Sequence, residues 1–407
     1  MTSSQPVRVL IVAPAPVGSD RIGGIVNFIS GFVRVAPADF EIEIAGVAVG
    51  DEAPADGWQP LSLAGRRVRF LPTLRMAATR RTGRVPLKAR IVASMLRRRR
   101  QIPTEGRVIQ VHAPAMDLAF LGRRAPVIRV VHNAPEDLAA KGAGSAWRRL
   151  GRLVEWSEDL SFRRSDSVFF VSRSTYERYA AKRGFAGRVH FLPNFFDESL
   201  FRPITPTERL AARDAIATAI GVSPDVPWLL FAGRLDDQKD PALAIRTMAV
   251  LRAGTSAAAS AVLLVAGEGR LLERTRRQAT ELGISSAVQF LGNVPQARLA
   301  ALMQAADAFL LTSAFESGPT VAYEALAAGL PVVSTPVGEV ARIVTHRATG
   351  YATSTFVADE LSEGVTWALG QDRDEVAALC SAAVERFSTR AVLEPFIAEH
   401  RRVALSG

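Results

Sequence analysis

The stretch Leu310–Val340, LLTSAFESGPTVAYEALAAGLPVVSTPVGEV, decides how the rest of the chain is read. It opens on the end of a short apolar run, Ala308–Leu311, long enough for a buried strand and too short for a helix. A loop with Gly318 and Pro319 follows, and a helix begins at Thr320 or nearby. The helix, Val321–Ala328, carries an Ala/Gly-rich face that permits close packing, and a second strand-like run follows at Pro331–Ser334. Strand, helix and strand in immediate succession are the repeat of a parallel sheet. Glu316 lies on the loop and Glu324 one turn into the helix, with seven residues between them. A carboxylate suits bidentate hydrogen bonding to vicinal sugar hydroxyls. By position alone, Glu324 reads equally as an exposed helical glutamate.

The same alternation extends outward in both directions. Strands are expected at Val7–Ala13, Phe40–Val47, Val108–Val111, Val127–Val131, Val168–Val171 and Val189–Leu192. In the second half they are expected at Trp228–Ala232, Ala261–Ala266, Val288–Leu291, Ala308–Leu311 and Pro331–Ser334. Helices fall between them, as at Gly24–Arg34, Trp147–Arg163 and Pro241–Leu251. This predicts an α/β protein with parallel sheets covered on both faces. The proline-bearing stretch Pro193–Pro206 marks the domain boundary. The expected domains are 1–200, 201–385, and a C-terminal helix over 386–407 that returns to the first domain.

The chain has 407 residues, 48% hydrophobic and 22% charged, which is ordinary globular composition. Cys380 is the single cysteine, so neither an internal disulfide nor a cysteine zinc site can form, and a reducing cytoplasm is expected. No apolar run approaches the ~20 residues of a membrane span, and the first residues do not read as a signal peptide. The net charge is +10, with a pI of about 10.6. It is uneven: residues 1–200 carry +13 and residues 201–407 carry −3. Between Asp56 and Glu105 there is no acidic residue. Within this window Pro86–Arg100, PLKARIVASMLRRRR, reads as a helix with an apolar stripe of Leu87, Ile91, Met95 and Leu96. Two readings fit it: an ordinary surface helix with its stripe in the core, or a helix lying on an anionic bilayer. Nucleic-acid binding fits less well, because no aromatic residue follows Phe70 up to Arg100.

In open α/β sheets, ligands bind beyond the carboxyl ends of the strands. After the first strand, Gly23-Gly24 opens a helix whose amides could hold an anion. No G-x-G-x-x-G or Walker loop is present, which argues against a classical dehydrogenase and a P-loop NTPase. After Trp228–Ala232, Arg234 and Lys239 sit on a strand-to-helix loop, as a diphosphate clamp or as solvated charge. Gly267-Glu268-Gly269 ends another strand on a turn that either meets a ligand or is a plain turn. His132 ends a strand and by itself reads as a core or loop histidine; His112 reads as structural or acceptor-side. His190, His346 and His400 match no pattern. Asp372-Arg373-Asp374 spells an Asp-x-Asp but falls between helices, and reads as solvated rather than metal-binding.

The pieces GRLDDQK (Gly233–Lys239), GEG, FLGNV (Phe290–Val294), the glutamate pair running into EALAAGLPVVSTPVG, and PNFFD (Pro193–Asp197) resemble, in that order, the family 4 glycosyltransferases of the GT-B architecture. The resemblance covers nearly the whole chain and is strongest over Phe231–Glu339. It implies two Rossmann-like domains facing across a cleft, with a nucleotide sugar held mainly by the second. It assigns the donor diphosphate to Gly233, Arg234 and Lys239, and the ribose hydroxyls to Glu324. The donor sugar and phosphates fall to Glu316 and the backbone of Ser317, Gly318, Pro319, Thr320 and Val321. Gly267, Glu268, Asn293 and Val294 border the donor, the last two at its base. Gly23 and Gly24 approach the donor phosphates or the acceptor, and His132 the donor sugar. The family's usual Glu-Gly-Phe-Gly stands here as Glu316-Ser317-Gly318-Pro319, which stiffens the loop and removes one N–H donor. The implied activity is retaining transfer of a hexose, without metal or other cofactor, to an acceptor hydroxyl of a lipid-linked or cell-envelope glycan or exopolysaccharide precursor. The expected setting is the cytoplasm, peripheral to the membrane through Pro86–Arg100. The alternatives are a phosphorylase or sugar-nucleotide-processing enzyme of the same fold, and a basic nucleic-acid-binding protein.

Overall fold

The computed structural model describes residues 6–17, 24–49, 57–76, 87–113, 116, 120, 122, 124–132, 158–316, 318–338 and 340–406. Gly23, Ser317, Pro86 and most of the helix expected over Trp147–Arg163 lie outside the described residues; of that helix, 158–163 is helical. The chain forms two compact units, Met1–Pro193 together with Thr389–Gly407, and Asn194–Ser388. The boundary falls after Pro193, at the start of the proline-bearing stretch and not at 200, because Asn194 and Phe196 bond within the second unit. The Phe196 amide donates to the Phe387 carbonyl at 3.2 Å. The last helix, Thr389–Ser406, packs in the first unit against the helix Gly24–Val35 and two strands of the sheet.

The first unit is built on eight strands: β1 (Val7–Pro16), β2 (Phe40–Val49), β3 (Gln59–Leu63), β4 (Arg66–Met76), β5 (Val108–Val111), β6 (Val127–Val131), β7 (Ser167–Phe170) and β8 (Val189–Phe191). Their order is β3-β4-β2-β1-β5-β6-β7-β8, and only β3 runs antiparallel to its neighbour. β3 and β4 were not expected from the sequence, and both lie in the arginine window. They form a hairpin on the two-residue turn Ala64-Gly65, where both residues have positive φ (50° and 77°), the twist that tight hairpins need. Two of the arginines of β4 are tied down. Arg66 donates to the carbonyls of Ala36, Pro37 and Phe40. Arg69 and Arg107 both pair with Glu43, each at 2.6 Å.

The basic helix forms over Leu87–Arg97. Ile91 and Met95 are fully buried among Leu10, Val12, Val47 and Leu71. Ile91 and Met95 of the stripe therefore belong to the core and are closed to a bilayer. The outer side keeps Leu96 and Arg97 exposed, with Arg99 and Arg100 beyond the helix end. No described helix is long and apolar enough to cross a membrane.

The second unit has six strands, all parallel: β9 (Trp228–Ala232), β10 (Val262–Ala266), β11 (Val288–Gly292), β12 (Ala308–Leu311), β13 (Val332–Ser334) and β14 (Gly350–Ala352). Their order is β11-β10-β9-β12-β13-β14. β9 and β12 are buried on both faces along their whole length, which is why they read as continuous apolar runs. The chain steps outward from β9 to β11 and returns to β12 on the other side of β9. That reversal is the switch point of the sheet, where open α/β folds hold ligands at the carboxyl ends of the strands. In the first unit the same reversal falls between β1 and β5.

Candidate functional site

The loops leaving β9, β10 and β11 are zipped together by their own backbones. Gly233 N–H donates to Ala266 O at 3.0 Å, Leu235 N–H to Glu268 O at 2.9 Å, and Gly267 N–H to Gly292 O at 2.7 Å. A Cβ on Gly267 would lie 1.9 Å from the Gly233 carbonyl oxygen, and one on Gly269 would lie 2.3 Å from that of Leu235. Gly267 also holds φ at 143°, a conformation essentially confined to glycine. The close approach that these glycines permit is thus to the neighbouring loop.

The loops leaving β9 and β12 are stitched as well. Thr312 Oγ1 donates to the Lys239 carbonyl at 3.0 Å and the Asp240 carbonyl at 2.8 Å, and Ala314 N–H donates to Gln238 O at 2.8 Å. These bonds bring the Lys239 ammonium onto the Glu316 carboxylate as an ion pair. Its side chains are only 15% and 7% exposed, and Ser313 Oγ donates to Glu316 at 2.8 Å. Glu316 is further enclosed by Gly338, where a Cβ would sit 2.1 Å from the Glu316 carbonyl oxygen. Arg234, its expected partner in a clamp, stands apart. Its side chain is 68% exposed and pairs with Asp236 at 2.9 Å.

Glu324 is buried, which removes the reading as an exposed helical residue. Gln296 Nε2 donates to its Oε1 at a long 3.4 Å. Burial pushes its carboxyl up to about 7; the nearby charge of Asp197 adds to this and that of Lys239 opposes it. It sits on the helix Thr320–Ala327, which starts at Pro319 and whose first-turn amides carry the positive end of the helix dipole. Gly318 is held in place by its carbonyl, which accepts from Asn194 Nδ2. Asn293 Nδ2 donates to Glu268 at 3.1 Å, and both side chains are exposed. Val294 points into the core, so only its backbone is open to a ligand. Thr320 and Val321 are half-buried.

In the first unit Gly24 is exposed at the start of its helix. His132 is half-buried just beyond β6, with its Nε2 2.9 Å from Nδ1 of His112 beyond β5. Phe28 meets both rings edge-on at 5.3 Å. Burial lowers the His132 pKa to about 4. Asp372 caps the helix Arg373–Val384 by accepting from the amides of Asp374 and Glu375, which accounts for the Asp-x-Asp. The sequence reading missed Ser313, Gln296 and Asn194 as partners of the site, and His400 as a partner of its histidines. Asn194 and Asp197 stood in plain sight in PNFFD; the others touch the site only through tertiary contacts.

The family model for "Glycosyl transferases group 1" matches residues 213–385, and that for "Glycosyltransferase Family 4" matches residues 22–200. The chain is 33% identical over 268 residues to the D-inositol 3-phosphate glycosyltransferase of Nocardia farcinica, a match covering 64% of this chain and 57% of that protein. It thus spans less than two thirds of that relative's length. It is 26% identical over 358 residues to the GDP-mannose-dependent monoacylated alpha-(1-6)-phosphatidylinositol monomannoside mannosyltransferase of Corynebacterium glutamicum, covering 84% of each. Among solved structures, the sucrose-phosphate synthase of Thermosynechococcus elongatus superposes with a TM-score of 0.72 at 18% identity, covering 98% of this chain and 100% of that one. One family model thus lies on each doubly wound unit and a single solved fold spans both, and the chain belongs to the family 4 glycosyltransferases of the GT-B fold.

Proposed function

We propose that the chain transfers a hexose from a nucleoside-diphosphate sugar to an acceptor hydroxyl, with retention at the anomeric carbon and without a metal ion. The observation that carries the reading is the pairing of Lys239 with Glu316 at the strand-order reversal, on the loop that leads into the helix of the buried Glu324. A diphosphate arriving there competes with Glu316 for the ammonium. Lys239 and the dipole of the helix Thr320–Ala327 then stabilise charge on the leaving phosphate, with Arg234 closing from solvent. The displaced Glu316 carboxylate is free to accept from hydroxyls of the donor sugar. Glu324 accepts from the ribose diol in its ionised form. The acceptor oxygen bonds to the anomeric carbon as the carbon–phosphate oxygen bond breaks, and the acceptor proton leaves on the phosphate. In the first unit, His132 accepts a hydrogen bond from a sugar hydroxyl.

The two relatives named above act on inositol phosphate and on a phosphatidylinositol mannoside, so a phosphate-bearing polyol or lipid-linked glycan is the acceptor class that they support. The basic first unit suits such an acceptor, and its exposed Leu96, Arg97, Arg99 and Arg100 suit peripheral contact with anionic lipid from the cytoplasmic side. The direct test is incubation with GDP-mannose or UDP-glucose and an inositol phosphate or lipid-linked acceptor, with and without a chelator. Product of retained anomeric configuration, formed equally in the chelator, supports the reading. Sugar phosphate formed only from inorganic phosphate assigns a phosphorylase instead.

A further inference from the structure

A buried chain of hydrogen bonds runs behind His132 that the transfer reaction does not itself require. From His132 it passes to His112, to the carboxamide of Gln110, to His400, and ends on the backbone carbonyl of Phe396. The links are 2.9 Å between His132 Nε2 and His112 Nδ1, and 2.6 Å between His112 Nε2 and one end of the Gln110 carboxamide. The other end of the carboxamide lies 3.1 Å from His400 Nε2, and His400 Nδ1 lies 2.8 Å from Phe396 O. Gln110 and His400 have no exposed surface and His112 is 2% exposed.

The terminus of this chain decides its direction. A carbonyl oxygen only accepts, so His400 Nδ1 carries the proton. Burial holds all three imidazoles neutral at pH 7, lowering His400 and His132 to about 4 and His112 well below its ordinary value. A neutral imidazole has one N–H, so His400 Nε2 is a lone pair, and the carboxamide must offer it the NH2 group. The structure sets Gln110 Nε2 toward His112 and Oε1 toward His400, but a carboxamide exchanges its oxygen and nitrogen by a half-turn about its last bond. Its oxygen therefore faces His112 Nε2, which donates to it. His112 Nδ1 is then a lone pair, and His132 Nε2–H donates to that. The opposite orientation would set the His400 Nδ1 lone pair against the Phe396 carbonyl at 2.8 Å.

The geometry points to Gln110, His112 and His400 as positioning residues that fix His132 in its Nε2–H tautomer, with Nδ1 as its hydrogen-bond acceptor. An acceptor nitrogen on His132 accepts a hydrogen bond from a hydroxyl and donates none. This deepens the reading of His132 above and rests on it only for its catalytic consequence. The tautomer follows from the chain itself.

The test is long-range proton–nitrogen correlation on the full chain labelled with 15N-histidine, at pH 7, with signals assigned by single His→Gln variants. The expected result is Nε2–H at His132 and His112 and the less common Nδ1–H at His400. Finding Nδ1–H at His132 overturns the inference, whatever the activity. In Gln110→Leu the link to the carbonyl is cut, and His132 becomes a mixture of tautomers. Its kcat falls about tenfold to a hundredfold, by analogy with the loss of partners that orient a metal-bound histidine, while KM for the donor holds. A Gln110→Leu protein that stays folded, keeps the single His132 tautomer and keeps its kcat also overturns it. If the three tautomers are as stated but His132→Ala transfers at the wild-type rate, the relay stands and the assignment of His132 to the donor sugar fails.

Discussion

Replacing Glu324 by Gln is expected to stabilise the second unit at alkaline pH while weakening donor binding. The carboxyl is pushed from an ordinary 4.5 up to about 7 in the folded chain, chiefly by burial. Folding therefore favours the protonated form. Stability from this group is full below pH 4.5, falls as pH rises from 4.5 to about 7, and stays level above that. At ~1.4 kcal/mol for each pH unit between the two values, the loss amounts to about 3 kcal/mol at pH 8. Glutamine has the same shape and no charge, so the variant escapes this loss at pH 8 and gains almost nothing at pH 4.5. Urea unfolding followed by the fluorescence of Trp228, which is fully buried in the core of the second unit, reads the difference. With a slope of ~2–3 kcal/mol per M, the midpoint should rise by about 1 M at pH 8 and hardly move at pH 4.5. Donor affinity should fall roughly tenfold to a hundredfold, the worth of ~1.5–3 kcal/mol for a hydrogen bond to a charged group. Equal midpoints at pH 8, or equal gains at both pH values, would refute the burial argument.

Three further outcomes follow from the same geometry. Arg234→Ala removes an exposed cation and should leave the melting temperature unchanged, whereas Lys239→Ala strands the enclosed Glu316 and should destabilise by about 3–5 kcal/mol; both should cut transfer by orders of magnitude, and near-wild-type turnover in either sinks the diphosphate clamp. Gly267→Ala places a methyl 1.9 Å from a carbonyl oxygen in a glycine-only conformation, so it should unzip the β9 and β10 loops and abolish nucleotide protection in a thermal-shift assay, while Gly254→Ala, whose Cβ meets one carbonyl at 3.2 Å, serves as a mild control. Vesicle co-sedimentation should show binding to anionic and not to neutral lipid, lost when Arg97, Arg99 and Arg100 become Ser; equal partition to both vesicle types refutes the electrostatic contact.

The sequence was informative wherever one physical pattern dominated. β9 and β12 were bounded correctly because strands buried on both faces are unbroken apolar runs, here ended by Pro227 and Gly233 and by Asp307 and Thr312. β4 was missed because Arg66, Arg67 and Arg69 mask the buried Val68 and Phe70, and its stability comes from partners such as Glu43 that the local pattern does not contain. β14 was missed because three residues, one of them glycine, give no period at all. The apolar stripe of Leu87–Arg97 fitted a core and a bilayer equally, since both offer an apolar surface; only the burial of Ile91 and Met95 decides between them. Glu316 and Glu324 could be named from spacing. The burial that sets the proton affinity of Glu324 is a property of the assembled unit.

The location of the helix Thr389–Ser406 carries a consequence for how the chain is made. Phe396 packs on Phe28 and Phe32, and every residue of the second unit lies between those partners in the chain. During synthesis, the first unit leaves the ribosome with a gap in its core that only a much later segment fills. The second unit is continuous and can fold while the first still waits. Closing so long a loop makes completion of the first unit a late and slow event. Its exposed aromatic surface in that interval is where chaperones are expected to bind, and where truncation or a destabilised last helix would lead to aggregation rather than to a smaller working protein.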